Sequence, residues 1–217
     1  MPYRPGHKAE TRKRIVVAAR GLFNARGFDG VSIDEIMAGA GLTRGGFYSH
    51  FRTKDDLYAE AVLSARERYR PENVAAIGLD PEAPPGVFAS QVIEVYLCAG
   101  HLTAPASQCP MFALASDIAR AGPLTRGAFE KLLRGMSGVF ARGMGAPKDD
   151  PRALAVAALC VGAMTMARAV GDATLSASIR EAAREAAFEL GDFTPRPRRR
   201  APPKKSRAST RANGRKP

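Results

Sequence analysis

Apolar residues recur every three or four positions along most of the chain. No stretch alternates apolar and polar residues for the length of a strand. The pattern therefore predicts an all-α protein. In the first periodic segment Ile15, Ala18, Ala19, Leu22 and Phe23 share one face, and Gly27 is its natural stop, because glycine accepts the left-handed conformation just past a helix end. Ser32 followed by Glu35 reads as a capping box, with Val31 and Ile36 placed as a hydrophobic staple. The helix they open spans about 33–40, turns Ile33, Ile36, Met37 and Ala40 inward and stops at Gly41. Thr43 reads as the N-cap of a short helix over 44–50, with Leu42 and Phe47 as its staple and Phe47 and Phe51 one turn apart. Thr53 reads as a third N-cap, and Asp55 and Asp56 favour the dipole of a helix that runs to about Tyr69.

Pro71 to Gly86 is rich in Pro and Gly and reads as a connector. Beyond it the period predicts helices near 86–102, 110–121, 123–145, 150–171 and 177–191. Gly122-Pro123 separates two of these, Pro151 takes the favoured first position of another, and Ser178 with Glu181 reads as a further capping box.

Composition changes this picture in three ways. The chain of 217 residues carries a formal charge of +12, unevenly spread: residues 1–70 are net +5, 71–192 net −3, and the run from Thr194 to Pro217 holds ten Lys or Arg and no acid. A basic front points to an anionic partner, nucleic acid first. The Pro-, Lys- and Arg-rich run is expected to be a disordered basic tail, since it has too little apolar surface to offset its ordering entropy. The three cysteines, Cys98, Cys109 and Cys160, have no disulfide or zinc spacing and fit reduced thiols in a cytoplasmic protein. The opening MPYRPGHKAE has no apolar core, so no signal peptide is expected. The most apolar run, Ala153 to Ala167, is 15 residues against the ~20 of a membrane span, so a buried helix and no membrane are expected.

Two capped helices joined by a three-residue turn, with a third amphipathic helix before them, have the layout of a helix-turn-helix whose second helix enters a major groove. Gly45 and Gly46 cost that helix roughly 0.8–1 kcal/mol each relative to alanine. Lying close against a phosphate backbone gives them a purpose. Thr43, Arg44, Tyr48, Ser49 and His50 are its exposed polar residues. Arg44 suits a guanine edge or a phosphate, while Tyr48 and His50 are potential phosphate donors. Lys54 opposes its own helix dipole unless an anion such as a phosphate binds there. The other reading of the residues is a flexible glycine loop with solvated charges.

The stretch GFDGVSIDEIMAGAGLTRGGFYSHFRTKDDLYAEAV resembles the N-terminal domain of the tetracycline-repressor-like (TetR/AcrR) transcriptional regulators, over about Lys8 to Arg68 and most specifically from Gly41 to Leu57. The resemblance implies a DNA-binding domain over 8–68 with its helix-turn-helix at about 31–50, and an effector-binding and dimerisation domain over 69–193. It places Thr43, Arg44, Gly45, Tyr48 and His50 on the DNA-facing helix, Lys54 on backbone phosphate, and Ser32 at the start of the supporting helix near the DNA. Many relatives carry alanine where Gly46 stands. The resemblance further implies a homodimer whose last two helices pair with their symmetry mates, a palindromic double-stranded operator, and an unidentified small-molecule effector.

An effector pocket is expected among the helices near 86–145, with Phe88, Tyr96, Cys109, Phe112, Met136 and Phe140 as its candidate lining and plain core packing as the alternative for each. Met144 belongs to the same apolar set, and His101 is expected to be structural. Cys109, just before a helix opened by Pro110, is a candidate thiol sensor if the helix terminus lowers its pKa, and a small buried hydrophobe otherwise. No P-loop, HExxH, CxxC or dinucleotide fingerprint is present, so no enzyme activity, cofactor or metal is expected. Besides a ligand-responsive repressor, a non-specific architectural DNA binder of nucleoid type would fit the basic tail, and a helical small-molecule-binding or enzymatic protein with an incidental helix-turn-helix is the third reading.

Overall fold

The structure, a computed structural model, describes residues 6–103 and 108–194. The basic tail expected over 194–217 lies outside the described residues except for Thr194. Helices α1 (His7–Arg26) and α2 (Ile33–Gly39) are followed by a 3-10 segment Arg44–Ser49, then α3 (Lys54–Leu63) and a 3-10 segment Ser64–Tyr69. Next come α4 (Pro71–Val74), a 3-10 turn Ala75–Ile77, α5 (Pro85–Tyr96), α6 (Gly100–Thr103), α7 (Pro110–Ala113), α8 (Ala115–Arg120) and α9 (Pro123–Gly143). Two long helices close the chain, α10 (Pro151–Ala169) and α11 (Ala173–Gly191). Among the described residues there is no strand.

The core at the front of the chain follows its apolar spacing, although the helix expected to run to about Tyr69 ends at Leu63 and continues as the 3-10 segment. Ile15, Ala19 and Phe23 from α1 meet Ile36 and Met37 from α2, with Phe47, Phe51, Leu57 and Tyr58 completing a core closed to solvent. Gly27 ends α1 at φ 75°, and a side chain there would drive its Cβ to 2.5 Å from the Asp117 carboxylate, so both backbone and space demand glycine. α1 packs on α2 and α3, and α3 packs also on α9, so one hydrophobic cluster runs from the N-terminal helices into the C-terminal ones.

The longer helices predicted behind residue 70 are broken in two places, each where a distant side chain takes a helix carbonyl. α5 ends at Tyr96: its carbonyl receives His101 Nδ1 at 2.9 Å and the next one, Leu97, receives Arg180 from α11 at 2.9 Å. The stretch 110–121 is divided at Leu114, where Arg168 from α10 donates to the Ala113 carbonyl at 2.9 Å. The connector over 71–86 itself holds α4 and a 3-10 turn.

α9 opens at Gly122-Pro123 as expected and buries Leu132, Met136 and Phe140 along one face. α10 is capped by Asp150, which accepts from the Arg152 amide at 2.8 Å, with Pro151 at the first position. α11 starts earlier than its sequence suggests. Asp172 caps it, accepting from Thr174 and Leu175 amides at 2.7 and 3.1 Å, and the capping box expected at Ser178 falls inside the helix. Aspartate and serine are comparable caps, and the helix begins at the first of the two. α10 has the length and hydropathy of a membrane span by composition alone, but Val156, Ala157, Cys160 and Met164 are buried against α9 and α11.

Candidate nucleic-acid interface

The supporting helix α2 is held by a complete capping box. The Ser32 hydroxyl accepts from the Glu35 amide at 3.2 Å, and Glu35 Oε2 accepts from the Ser32 amide at 2.8 Å. Arg26 donates to the same carboxylate at 2.7 Å. The Ser32 bonds, with Arg26 behind them, hold Glu35 down at about 2, although the carboxylate is open to solvent.

The segment after the turn, Arg44–Ser49, is a 3-10 helix and not the α-helix expected over 44–50. Thr43 has the extended backbone of an N-cap but its side chain makes no capping bond. Two adjacent glycines explain the tighter winding, since they add no side chains to favour the wider α turn and leave the backbone free to follow its neighbours. Phe47 is buried and anchors the segment, stacking edge-on against Tyr48 at 5.2 Å between ring centroids. Thr43, Arg44, Gly45, Tyr48 and Ser49 all face solvent, with Tyr48 63% exposed. A methyl group added at Gly45 would meet nothing within 4 Å, whereas at Gly46 it would rest on the Met37 methyl at an ordinary 3.5 Å. Gly46 therefore tolerates alanine, and Gly45 leaves a bare patch of backbone that the fold itself does not require.

Arg44 does not project freely. It pairs with Asp34 of α2 at 2.5 Å, both side chains remaining more than half exposed. His50 is half-buried, and its Nδ1, hidden from solvent, has no hydrogen-bond partner among the described residues. Burial first, then the positive charges of Lys8, Arg12 and His7, push its pKa below the usual histidine value, so it is neutral at pH 7 and offers a single ring N–H. Lys54 is drawn inward: its ammonium donates to the Phe28 carbonyl at 2.6 Å and lies 4.2 Å from the centre of the Phe28 ring. That carbonyl and ring offset the unfavourable dipole at the start of α3 without a phosphate, and leave the other ammonium hydrogens for one.

Two residues that the sequence did not single out hold the segment in place. Arg12 of α1 donates from Nε to Glu60 of α3 at 3.0 and 3.1 Å, bonds the His50 carbonyl through Nη1, and stacks 4.0 Å from the Phe51 ring centre. Arg14 donates to the Ala40 carbonyl at the end of α2, just before Gly41 at φ 67°. Their partners are 26 to 48 residues away, beyond any helical spacing, and only their excess over the local acids hinted at a role.

The base of this unit is bonded to the C-terminal helices. Arg168 of α10 donates to the Asn24 carbonyl at 2.9 Å, and Asp117 of α8 accepts from the Phe28 amide at 3.3 Å. The Phe28 carbonyl in turn receives Lys54, one step from the exposed segment. A cavity of about 340 Å³ opens at this junction, lined by Phe112, Leu114, Asp117, Thr165 and Arg168 among others. Of the six residues expected to line a pocket, Phe112 alone borders this cavity. Tyr96, Cys109, Met136 and Phe140 are buried and Phe88 half-buried.

Cys109 overturns the expectation of a lowered pKa. It precedes a helix of only four residues, and burial pushes its thiol up, against the smaller opposing pull of the Met111 amide and the Tyr96 hydroxyl. Burial likewise raises Cys160 to about 12, while Cys98 is exposed. His101 is structural, buried edge-on between Tyr96 and Phe112 at 5.1 Å from each ring.

Comparison with known proteins places this geometry. Residues 15–61 match the model of bacterial regulatory proteins, tetR family. The HTH-type transcriptional regulator AcrR of Shigella flexneri is 45% identical over 51 residues, 24% of this chain and 24% of its own length. The HTH-type transcriptional repressor BepR of Brucella suis is 41% identical over 58 residues, 27% of this chain and 28% of its own. The matched region thus spans about a quarter of these curated relatives. A TetR transcriptional regulator from Chloroflexus aurantiacus superposes with a TM-score of 0.63 at 25% identity, covering 85% of this chain and 94% of that one. Reduced NemR of E. coli superposes at 0.65 with 19% identity over 83% and 96%, a likeness of fold alone.

Proposed function

We propose, from an N-terminal segment that belongs to the TetR family of bacterial regulatory proteins, that the chain is a cytoplasmic, sequence-specific DNA-binding transcriptional repressor. It acts as a homodimer on a near-palindromic operator and is released by a small-molecule effector. The observation that carries this reading is the exposed segment Arg44–Ser49, anchored by Phe47 and presenting Thr43, Arg44, Tyr48 and Ser49 around the bare backbone of Gly45. Two such segments one helical turn apart would meet successive major grooves. Ser32, His50 and Lys54 belong to the same face as secondary contacts: Ser32 through the start of α2, neutral His50 through its one N–H, Lys54 through hydrogens left over from Phe28.

Dimerisation is supported by apolar residues left outside on the last two helices, Leu154 and Met166 of α10 and Leu175 of α11, which are about half exposed. Release is supported by the bonds from α8 and α10 to the Asn24–Phe28 corner, through which a shift of the C-terminal helices reaches Lys54. An effector acts only by binding the displaced arrangement more tightly than the DNA-competent one. Domain limits of 8–68 and 69–193 describe these roles rather than separate cores. A non-specific architectural role is not favoured, because the relatives matched are named as HTH-type regulators.

Selection of bound sequences from random DNA tests the reading. A symmetric motif with half-sites one turn apart, still bound under excess unrelated DNA, is expected. Retention of all sequences alike, falling steeply with salt, would favour the architectural role.

A further inference from the structure

The cavity of about 340 Å³ between the α7–α8 break and the last turn of α10 has an apolar side, Phe112, Leu114 and Ala169, and a polar side, Asp117, Thr165 and Arg168. Two long helices finish beside it. α10 ends at Ala169, and the Asn24 carbonyl in the final turn of α1 is bonded to Arg168. Aligned peptide dipoles leave such C-terminal ends partly negative, which favours a cation near them. Arg168 meets part of that demand, giving its hydrogens to the Ala113 and Asn24 carbonyls at 2.9 Å each. The other charge on the lining is the Asp117 carboxylate, whose side chain is 27% exposed. Its partners are the exchangeable ones. Oδ2 accepts from the Phe28 amide at a long 3.3 Å, and Oδ1 pairs at 2.6 Å with Arg120, whose own side chain is 71% exposed. Water screens a pair with so exposed a cation, and holding the long arginine side chain in place costs entropy, so the pair is weak.

We propose that this cavity takes the effector and that the effector is a small arylalkyl ammonium ion, its ammonium on Asp117 in place of Arg120 and its ring against Phe112 and Leu114. The inference rests on the effector-released reading given above and adds the ligand's class and place. A cation inside the cavity is less screened than the exposed Arg120, so it competes well for the carboxylate. The volume is at the small end of ligand pockets and suits one ring with a short chain. The same carboxylate braces the corner that ends α1. A Cβ at Gly27 would lie 2.5 Å from its Oδ2, and the next amide, Phe28, donates to that oxygen. Turning Asp117 into the cavity removes the Phe28 bond, and the Phe28 carbonyl and ring are what hold Lys54 at the start of α3. Ligand and corner thus compete for one carboxylate. The ligand prefers the arrangement in which the corner is released, which is the differential affinity that release from DNA requires.

The test uses the full chain with benzylamine, phenethylamine and tyramine, each against the uncharged alcohol of the same skeleton, at neutral pH and constant ionic strength. Thermal midpoint and release of the selected operator are both read. At least one amine is expected to raise the midpoint and release the operator while its alcohol does neither. Asp117→Asn is expected to weaken that response about tenfold, and Arg120→Gln, which removes the competing cation, to strengthen it several-fold. Amines and alcohols acting alike, no amine acting at millimolar concentration, an undiminished response in Asp117→Asn, or a raised midpoint with the operator still bound would each overturn the proposal. Should Asp117→Asn fail to fold, Arg120→Gln decides, and an unchanged response in it overturns the proposal. If an amine raises the midpoint through Asp117 but no specific operator exists, the DNA-binding reading fails and the site stands. If an operator is bound and no amine acts, the site alone fails.

Discussion

Arg44 meets a competitor before it meets DNA. Its guanidinium is paired with Asp34, and an exposed pair of this kind contributes ~0.2–1 kcal/mol. Asp34→Asn is therefore expected to tighten operator binding by a few-fold, measured by titration at fixed salt. Arg44→Ala is expected to lose ~1–3 kcal/mol, concentrated at one base position if the guanidinium reads a guanine. A loss spread evenly over all sequences would place it on phosphate instead. Cysteine chemistry also belongs to this scale. With Cys109 and Cys160 buried and their thiols raised, Cys98 is expected to label first with a maleimide, and faster labelling of Cys109 would mean that its surroundings open in solution. Exposure of Arg44 and Tyr48 was legible in the sequence because a short segment with Phe47 as its one buried apolar anchor can point its polar residues only outward. The pairings of Arg44 with Asp34 and Lys54 with Phe28 were not, since they depend on how two elements cross.

At the scale of elements, α2 depends on its capping box. Glu35 has a folded pKa of about 2, below its ordinary 4.5, so its contribution to stability is complete above about pH 5 and disappears as the pH falls toward 2. Ser32→Ala removes the hydroxyl bonds and leaves the larger backbone N–H bond to Glu35, so it is expected to shallow that part of the pH–stability curve without abolishing it, as well as costing ~0.5–2 kcal/mol as a lost cap. An unchanged slope between pH 5 and 2 would show that the box does not persist in solution. The sequence announced this element and the end of α1 because their signals are local: Ser32 with Glu35, and Gly27. It announced α11 wrongly because Asp172 and Ser178 are both acceptable caps and only the observed helix distinguishes them. The breaks at Leu97 and Leu114 come from Arg180, His101 and Arg168 taking carbonyls, which no local period can register.

For the whole molecule, charge and fold divide the work. The segment from Thr194 to Pro217 carries ten cations, and deleting it is expected to reduce the dependence of DNA affinity on salt while leaving base preference intact. Loss of the preference itself would assign the reading of sequence to the tail. The all-helical architecture was legible throughout, whereas the continuity between front and back was not. α3 packs on α9, and Arg168 and Asp117 bind the Asn24–Phe28 corner, so the exposed segment and the C-terminal helices are parts of one packed structure.

The claim on which the rest depends is that the Arg44–Ser49 segment lies against a duplex with Gly45 at the point of closest approach. Because space around Gly45 is open, Gly45→Leu should leave the thermal midpoint near that of the unmodified protein. The decisive measurement is the affinity of this variant for the selected operator. Loss of specific binding at an unchanged midpoint is the predicted result, and binding at full strength would contradict the account.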